Sequence, residues 1–357
     1  MFKTIRNAWA IPELRRKMLF TLFIIVVFRF GSAIPVPFLN TEALKGLMGE
    51  VSKAGTALSY LDTLSGGAFA YAALFAMGPT PYINSSIVIE LLTVAIPALE
   101  RMAKEGEEGR KRLGSITRYV AVGLALAQAV MYYFYLRNNS YGGTAIVKYT
   151  SGWQSVFAAF VIILSFTAGA ALIMWLGEQV NQHGTHIPIK VGLSGVMPII
   201  FASSILIIPS TIKFFLGDRA SSGFWASFFE AFSPTGWLYS ILYFILIILF
   251  AFFYMTIQYN PIEMANNLRQ SNGTIPGIRP GKPTSDYIMK VLSKVTFIGS
   301  LFLAFIALMP IIFGASTGMS TLSIGGTSLL ILVGVALETV KQMESQMMMR
   351  HYKGFLD

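Results

Sequence analysis

Residues 63–95 read TLSGGAFAYAALFAMGPTPYINSSIVIELLTVA, an apolar stretch interrupted in its middle. The first half is small and glycine-rich. Gly78 and Pro79 then break it, with Pro81 close behind. A second apolar run follows, with Ile83 and Ile87 one helical turn apart, and no charge occurs between Asp62 and Glu90. A plain membrane anchor needs one continuous helix, because lipid offers no partner to loose backbone N–H and C=O groups. A broken span is tolerated where protein covers it or where it lines a polar path. The segment therefore points to a conduit.

The rest of the chain supports a membrane setting. Hydrophobic residues make up 54% and charged residues 12%, against roughly 25% charged in soluble domains. The charge-free run 295–337 is 43 residues long. It can hold two spans of about 20 residues and a short turn. Eight spans are expected, near 18–35, 80–96, 117–136, 153–176, 192–214, 236–258, 290–313 and 323–341. The glycine-rich 64–77 is expected as a half-helix before the second. With the N-terminus placed in the cytoplasm, twenty Lys and Arg fall inside and six outside. That asymmetry fits both termini inside. The basic start could mimic a signal peptide, but the further spans and the lack of an A-x-A site favour a retained helix. There is no cysteine, which excludes disulfides, thiolate metal sites and thiol nucleophiles.

Two inside loops are long and polar. Residues 98–119 mix both signs and end basic, as an orientation-setting solvated loop does. Residues 259–287 are rich in Asn, Gly and Pro, and read as a turn-rich projecting tip. Arg279 sits there between Ile278 and Pro280. Proline forces the residue before it into extended geometry, and a guanidinium presented this way suits acidic or phosphate partners.

PGIRPG (276–281) followed by KPTSDYI, YNP (259–261), SGGA (65–68), MGPTPYI (77–83), GVMPIIFASSI (195–205), EGEEGRKR (105–112) and IGGTSLLI (324–331) together resemble the bacterial SecY family. That family supplies the channel-forming part of the Sec protein translocase. The motifs run in matching order from one end of the chain to the other. The resemblance implies an all-α polytopic bundle in two inverted halves, here 1–184 and 185–357. It implies a plug over Ser65 to Ala76, including Gly66, Gly67, Ala68 and Phe69. It implies a pore ring of Ile83, Ile87, Ile200 and Ile331, and docking of a ribosome or the SecA ATPase through Arg279, Pro280 and Gly281. Asn84 and Gln128 are assigned to polar contacts of a lateral gate. SecE, SecG and signal-bearing polypeptides are the further partners implied, with lateral release into lipid, residence in the plasma membrane and no cofactor.

Plainer readings compete with these roles. Isoleucines four apart are usually core or lipid contacts, and glycine-rich spans usually mark tight helix packing. His183 and His186 lack the further ligands of a metal site. Asn138-Asn139-Ser140 is a formal glycosylation sequon that a bacterial protein leaves bare. No catalytic constellation is evident. The constriction role is physically reasonable, because branched aliphatic side chains resist water and ions by dewetting.

The chain departs from the family pattern once. WLGEQVNQHG (175–184) runs directly into THIPIKVGLSGVMP (185–198), where the family carries its fifth and sixth spans. An even deletion preserves topology. It removes part of the pore wall and one docking loop. A reduced insertase or docking scaffold that does not conduct secreted polypeptide is therefore the alternative function. A small-solute transporter also fits a broken helix, but such proteins carry intramembrane ionisable coupling sites. Arg29, near the outer end of the first span, is a poor substitute for one.

Overall fold

A computed structural model describes residues 9, 11–53, 62, 65–183, 197–216, 224–232, 236–271, 273–317, 332–337, 339–340, 343–344 and 347. The chain divides into two compact units. The first holds Met1–Pro188, Thr211–Ser222 and Thr339–Asp357, the second Ile189–Ser210 and Gly223–Glu338.

The first unit opens with α1 (Pro12–Gly31), whose proline lies in the first turn, where its missing N–H costs nothing. Next comes α2 (Thr41–Lys53). A block of turns over 65–79 leads into α3 (Thr80–Ala95), again with proline in its first turn. Ile96 is extended, as a residue before proline must be, and α4 (Pro97–Lys104) leaves at 105° to α3. Glu105 and Gly106 separate it from α5 (Glu107–Asn138). The expected solvated loop 98–119 is thus almost wholly helical. At the start of α5 its charges support this, because Glu107–Lys111 and Glu108–Arg112 pair one turn apart on the surface.

A hairpin of β1 (Ser140–Tyr141) and β2 (Thr144–Ala145) follows. Its turn is Gly142-Gly143, both with positive φ, as a two-residue hairpin requires. Tyr141 lies where a Cβ on Gly46 of α2 would stand, so the hairpin sits directly on α2. Next comes α6 (Trp153–His183). Ala121, Ala125, Ala129, Tyr132 and Leu136 form the buried stripe of α5. All but Ala121 pack in one core with Leu44 of α2, Ile146, and Ile162 and Phe166 of α6.

In the second unit are α7 (Met197–Leu216) as far as Ser210, α8 (Phe224–Ala231), α9 (Trp237–Gln258), α10 (Pro261–Gln270) and α11 (Lys282–Thr317). Tyr243, Ile247, Phe250 and Ala251 bury one face of α9. Ser300, Ala304, Ala307 and Ile311 bury one face of α11 at helical spacing. Phe244 and Phe305 meet edge to face across α9 and α11.

The opposite faces carry large exposed apolar side chains. Phe157, Phe160 and Leu164 line one side of α6, Ile241, Ile245 and Leu249 one side of α9, and Ile298 and Phe302 one side of α11. Surfaces of that extent face lipid. Among the described residues, α5, α6, α9 and α11 are long and apolar enough to cross a membrane, and the bent pair α3–α4 makes a fifth candidate. The molecule is a multi-pass helical membrane protein. Of the other expected spans, α1 covers most of 18–35 and α7 most of 192–214. The span at 323–341 lies largely outside the described residues.

Two local expectations are corrected. Residues 65–79 are not a half-helix but consecutive turns. Gly66, Gly67 and Gly78 have φ of +67°, +88° and +57°, and Ala72 has 42°, and right-handed helix cannot run through left-handed positions. The region 259–287 is not turns throughout, because α10 occupies much of it. Asn260 accepts the N–H groups of Ile262 and Glu263 and Pro261 fills the first position, a complete helix-start signal.

Candidate functional site

The broken stretch is built against four elements of the first unit. From α1, an Arg29 guanidinium N–H donates to the Gly66 carbonyl at 2.6 Å, and Phe28 stacks on Phe75 at 5.7 Å between centroids. From α2, the Lys45 ammonium lies 4.8 Å over the Tyr71 ring. From α5, the Tyr132 hydroxyl donates to the Phe69 carbonyl at 2.8 Å, and its ring stacks on Phe69 at 4.3 Å. From α6, Gly169 approaches so closely that a Cβ there would stand 1.9 Å from the Leu74 carbonyl oxygen.

Side chains close the segment on itself as well. Asp62 accepts the Ala70 N–H at 2.7 Å. Ser65 accepts the Phe69 N–H and donates to the Asp62 carbonyl. Burial pushes the Asp62 carboxyl above its ordinary value, and the Ala70 N–H works against that shift. Residues 34–36 add backbone pairing. The Val36 N–H donates to Ala72 at 3.0 Å and the Leu74 N–H to Ile34 at 2.9 Å, around a Pro35–Ala73 bridge. Ser65, Ala68, Phe69, Ala72, Ala73, Phe75 and Ala76 are all buried. The segment is well seated, because its small residues let Arg29, Tyr132, Gly169 and residues 34–36 reach its backbone.

Beyond Gly78, α3 carries Ile83 half-buried and Ile87 at 3% exposure. Ser85 of α3 donates to the Thr117 carbonyl of α5 at 2.6 Å and ties the two helices. Asn84 and Gln128 are both half-buried on these helices. Gln128 lies about 16 Å along α5 from the level of Thr117 by helical rise, so the two amides stand at different levels. Ile200 is half-buried on α7 of the second unit. Ile331 lies outside the described residues, as does His186.

Arg279 is exposed, as is Pro280, while Gly281 is half-buried. Glycines with positive φ, Gly277 and Gly281, bracket the arginine. The Thr284 hydroxyl donates to the Arg279 carbonyl at 2.8 Å, and the Thr284 and Ser285 N–H groups donate to Gly281. The tip is thereby fixed to the start of α11.

Several residues of this region escape sequence reading. Arg118 of α5 and Glu178 of α6 form an ion pair at 2.6 Å, with Glu178 18% exposed. Glu90 and Arg118 fall within the expected spans 80–96 and 117–136, so Arg29 is not the sole ionisable group there, and what the sequence hides is the pairing with Glu178 and the burial of the Glu90 Oε2. Tyr132 and Gly169 are likewise recognisable only from their contacts, since their partners lie 63 residues away and on another element.

Comparison with known proteins follows from this arrangement. The SecY family model matches residues 73–185 and 181–340. The chain is 36% identical over 444 positions to the protein translocase subunit SecY of Bacillus subtilis, covering 100% of both chains. It is 35% identical over 431 positions to the same subunit of Mycobacterium tuberculosis strain H37Rv, covering 96% of this chain and 97% of that one. A solved structure concerned with the plug domain of the SecY protein and the closed state of the translocation channel superposes with a TM-score of 0.56 at 14% identity. It covers 92% of this chain and 91% of its own. A solved protein-conducting channel gives 0.52 at 13% identity, covering 91% and 92%. The 444 aligned positions exceed the 357 residues here, so relatives carry positions this chain lacks. The two family matches meet at 181–185, where 175–184 runs into 185–198.

Proposed function

The chain belongs to the SecY family, and on that footing we propose that it is the central subunit of the Sec protein-conducting channel. It passes unfolded polypeptide across the plasma membrane and releases transmembrane segments sideways into lipid, with both termini in the cytoplasm. The observation that carries this is the broken span: a buried block of turns set directly before α3 in a multi-pass bundle. Full-length similarity to translocase subunits supports it. The work is mechanical, and no residue is assigned a catalytic role.

In this reading residues 65–76 are the plug and the halves divide at 184/185. Ile83, Ile87, Ile200 and Ile331 form the apolar constriction, and Arg279, Pro280 and Gly281 dock the ribosome or SecA. Asn84 and Gln128 belong to the lateral gate. SecE and SecG complete the assembly. Reconstituted with SecE, SecG and SecA in vesicles, the chain should take up a signal-bearing polypeptide when ATP is supplied. Vesicles that never protect the substrate from protease would overturn the reading.

The constriction has its own test. Ile83→Asn combined with Ile87→Asn should raise the resting ion conductance of reconstituted vesicles severalfold, because polar side chains hold water in a narrow pore. Conductance at the parent level means these residues are not the barrier.

The positions absent relative to the family favour one second reading, a reduced insertase. Insertion of membrane proteins without export of secreted ones, in the same vesicles, would select it.

A further inference from the structure

We infer that only residues 65–71 form the movable part of the broken segment, a flap latched by Tyr132 and Arg29 that turns at Ala72, while residues 72–78 are a fixed base. The inference rests on reading 65–76 as a plug and narrows it.

The two parts are held by different kinds of contact. The base pairs through its backbone with residues 34–36, by the Val36–Ala72 and Leu74–Ile34 hydrogen bonds. It also meets two neighbours with no room between them. A Cβ on Gly31 would stand 2.2 Å from the Phe75 ring, and one on Gly169 would stand 1.9 Å from the Leu74 carbonyl oxygen. Moving the base would unpair backbone groups and empty the Phe75 site, both costly in an apolar interior.

Among the described residues the flap has no backbone pairing to another helix, and its one backbone bond outside the segment runs from the Gly67 N–H to the Asp62 carbonyl at 2.8 Å. Its bonds to the bundle come from side chains, Arg29 to Gly66 at 2.6 Å and Tyr132 to Phe69 at 2.8 Å. Its own turn bonds, Ala72 to Phe69 and Ala73 to Ala68, close it onto the base. Its residues are mostly small. Phe69 is its one large buried side chain, since Tyr71 is 46% exposed beneath Lys45. The junction is Ala72, a non-glycine residue at a φ of 42°. A left-handed alanine is strained, and release of the flap lets it relax. Tyr132 and Arg29 are therefore positioning residues for the closed flap.

The chain has no cysteine, so one introduced thiol reports its own site. Ala68 and Ala76 are alanines buried to the same degree, at 0% and 2% exposure, in flap and base. Ala68→Cys and Ala76→Cys in the full chain are treated with a soluble maleimide, alone and with Tyr132→Phe, Arg29→Gln or Arg29→Lys. Tyr132→Phe keeps the ring on Phe69 and removes only the hydroxyl. It should speed labelling at position 68 about five- to tenfold, the population shift expected from one lost buried hydrogen bond. Arg29→Gln should speed it about tenfold or more, and Arg29→Lys should restore much of the parent rate. Labelling at position 76 should not change. Equal acceleration at both positions shows the whole block moving and overturns the inference, as does no acceleration at 68. Deletion of residues 65–71 is read separately, by ion leak through reconstituted vesicles. A raised leak is the expected result. Leak at the parent level overturns the sealing role, while the labelling result still decides which part moves.

Discussion

Gly169→Ala should unseat the base of the broken segment and lower stability by about 3 kcal/mol, the upper part of the range for overpacking. A Cβ at this position of α6 would stand 1.9 Å from the Leu74 carbonyl oxygen and 2.8 Å from its carbonyl carbon. Those are backbone atoms, so no side-chain rotation relieves the clash. Either α6 moves away from the turns or the turns move away from α6. The first loosens contacts around Ile162 and Phe166. The second strains the Leu74–Ile34 hydrogen bond. The thermal inactivation midpoint of the solubilised chain measures the loss, and Gly169→Leu should abolish accumulation. Gly177 on the same helix is the control. A Cβ there meets nothing within 4 Å, so Gly177→Ala should stay within about 1 kcal/mol of the parent. Similar losses at both positions would mean that the close approach at Gly169 is unimportant.

Arg279→Glu should reduce translocation about tenfold or more while the amount of protein in the membrane stays normal. The side chain is exposed on a tip braced by the Thr284 hydroxyl and by Gly277 and Gly281. Replacing it should disturb the fold little. On the proposed docking role, a hydrogen bond to a charged partner group contributes about 1.5–3 kcal/mol, and reversal would add repulsion from an acidic or phosphate partner. The effect should be one of docking, so raising the SecA concentration should recover much of the rate. A rate that remains low at saturating SecA would assign Arg279 to a later step. An unchanged rate would remove it from docking altogether.

The helices most legible in the sequence were those with long apolar runs. α5, α6, α9 and α11 coincide with expected spans because length and hydropathy alone identify them. The shorter elements were hidden for separable reasons. Gly142-Gly143 between Tyr141 and Thr144 is a hairpin signal, yet it sits in a polar connection that drew attention only for its sequon. Asn260-Pro261 announces α10, but the surrounding Asn, Gly and Pro made turns the natural expectation. The charges of 98–119 looked like solvated loop, although Glu107–Lys111 and Glu108–Arg112 stand at helical spacing.

The site shows the same division. That 63–95 is broken, where it breaks, and that Arg279 precedes a proline were readable from residue order, because proline and glycine act on their own backbone. How the glycine-rich half is folded was not. A run of Gly, Ala and Phe permits helix and turns alike. The choice was made by contacts from Arg29, Tyr132 and Gly169, and by pairing with residues 34–36. Local chemistry determined a membrane-spanning chain with one interrupted span. Only tertiary packing decided that the interruption is a buried, four-sided seat, because its partners come from elements that adjacent sequence does not contain.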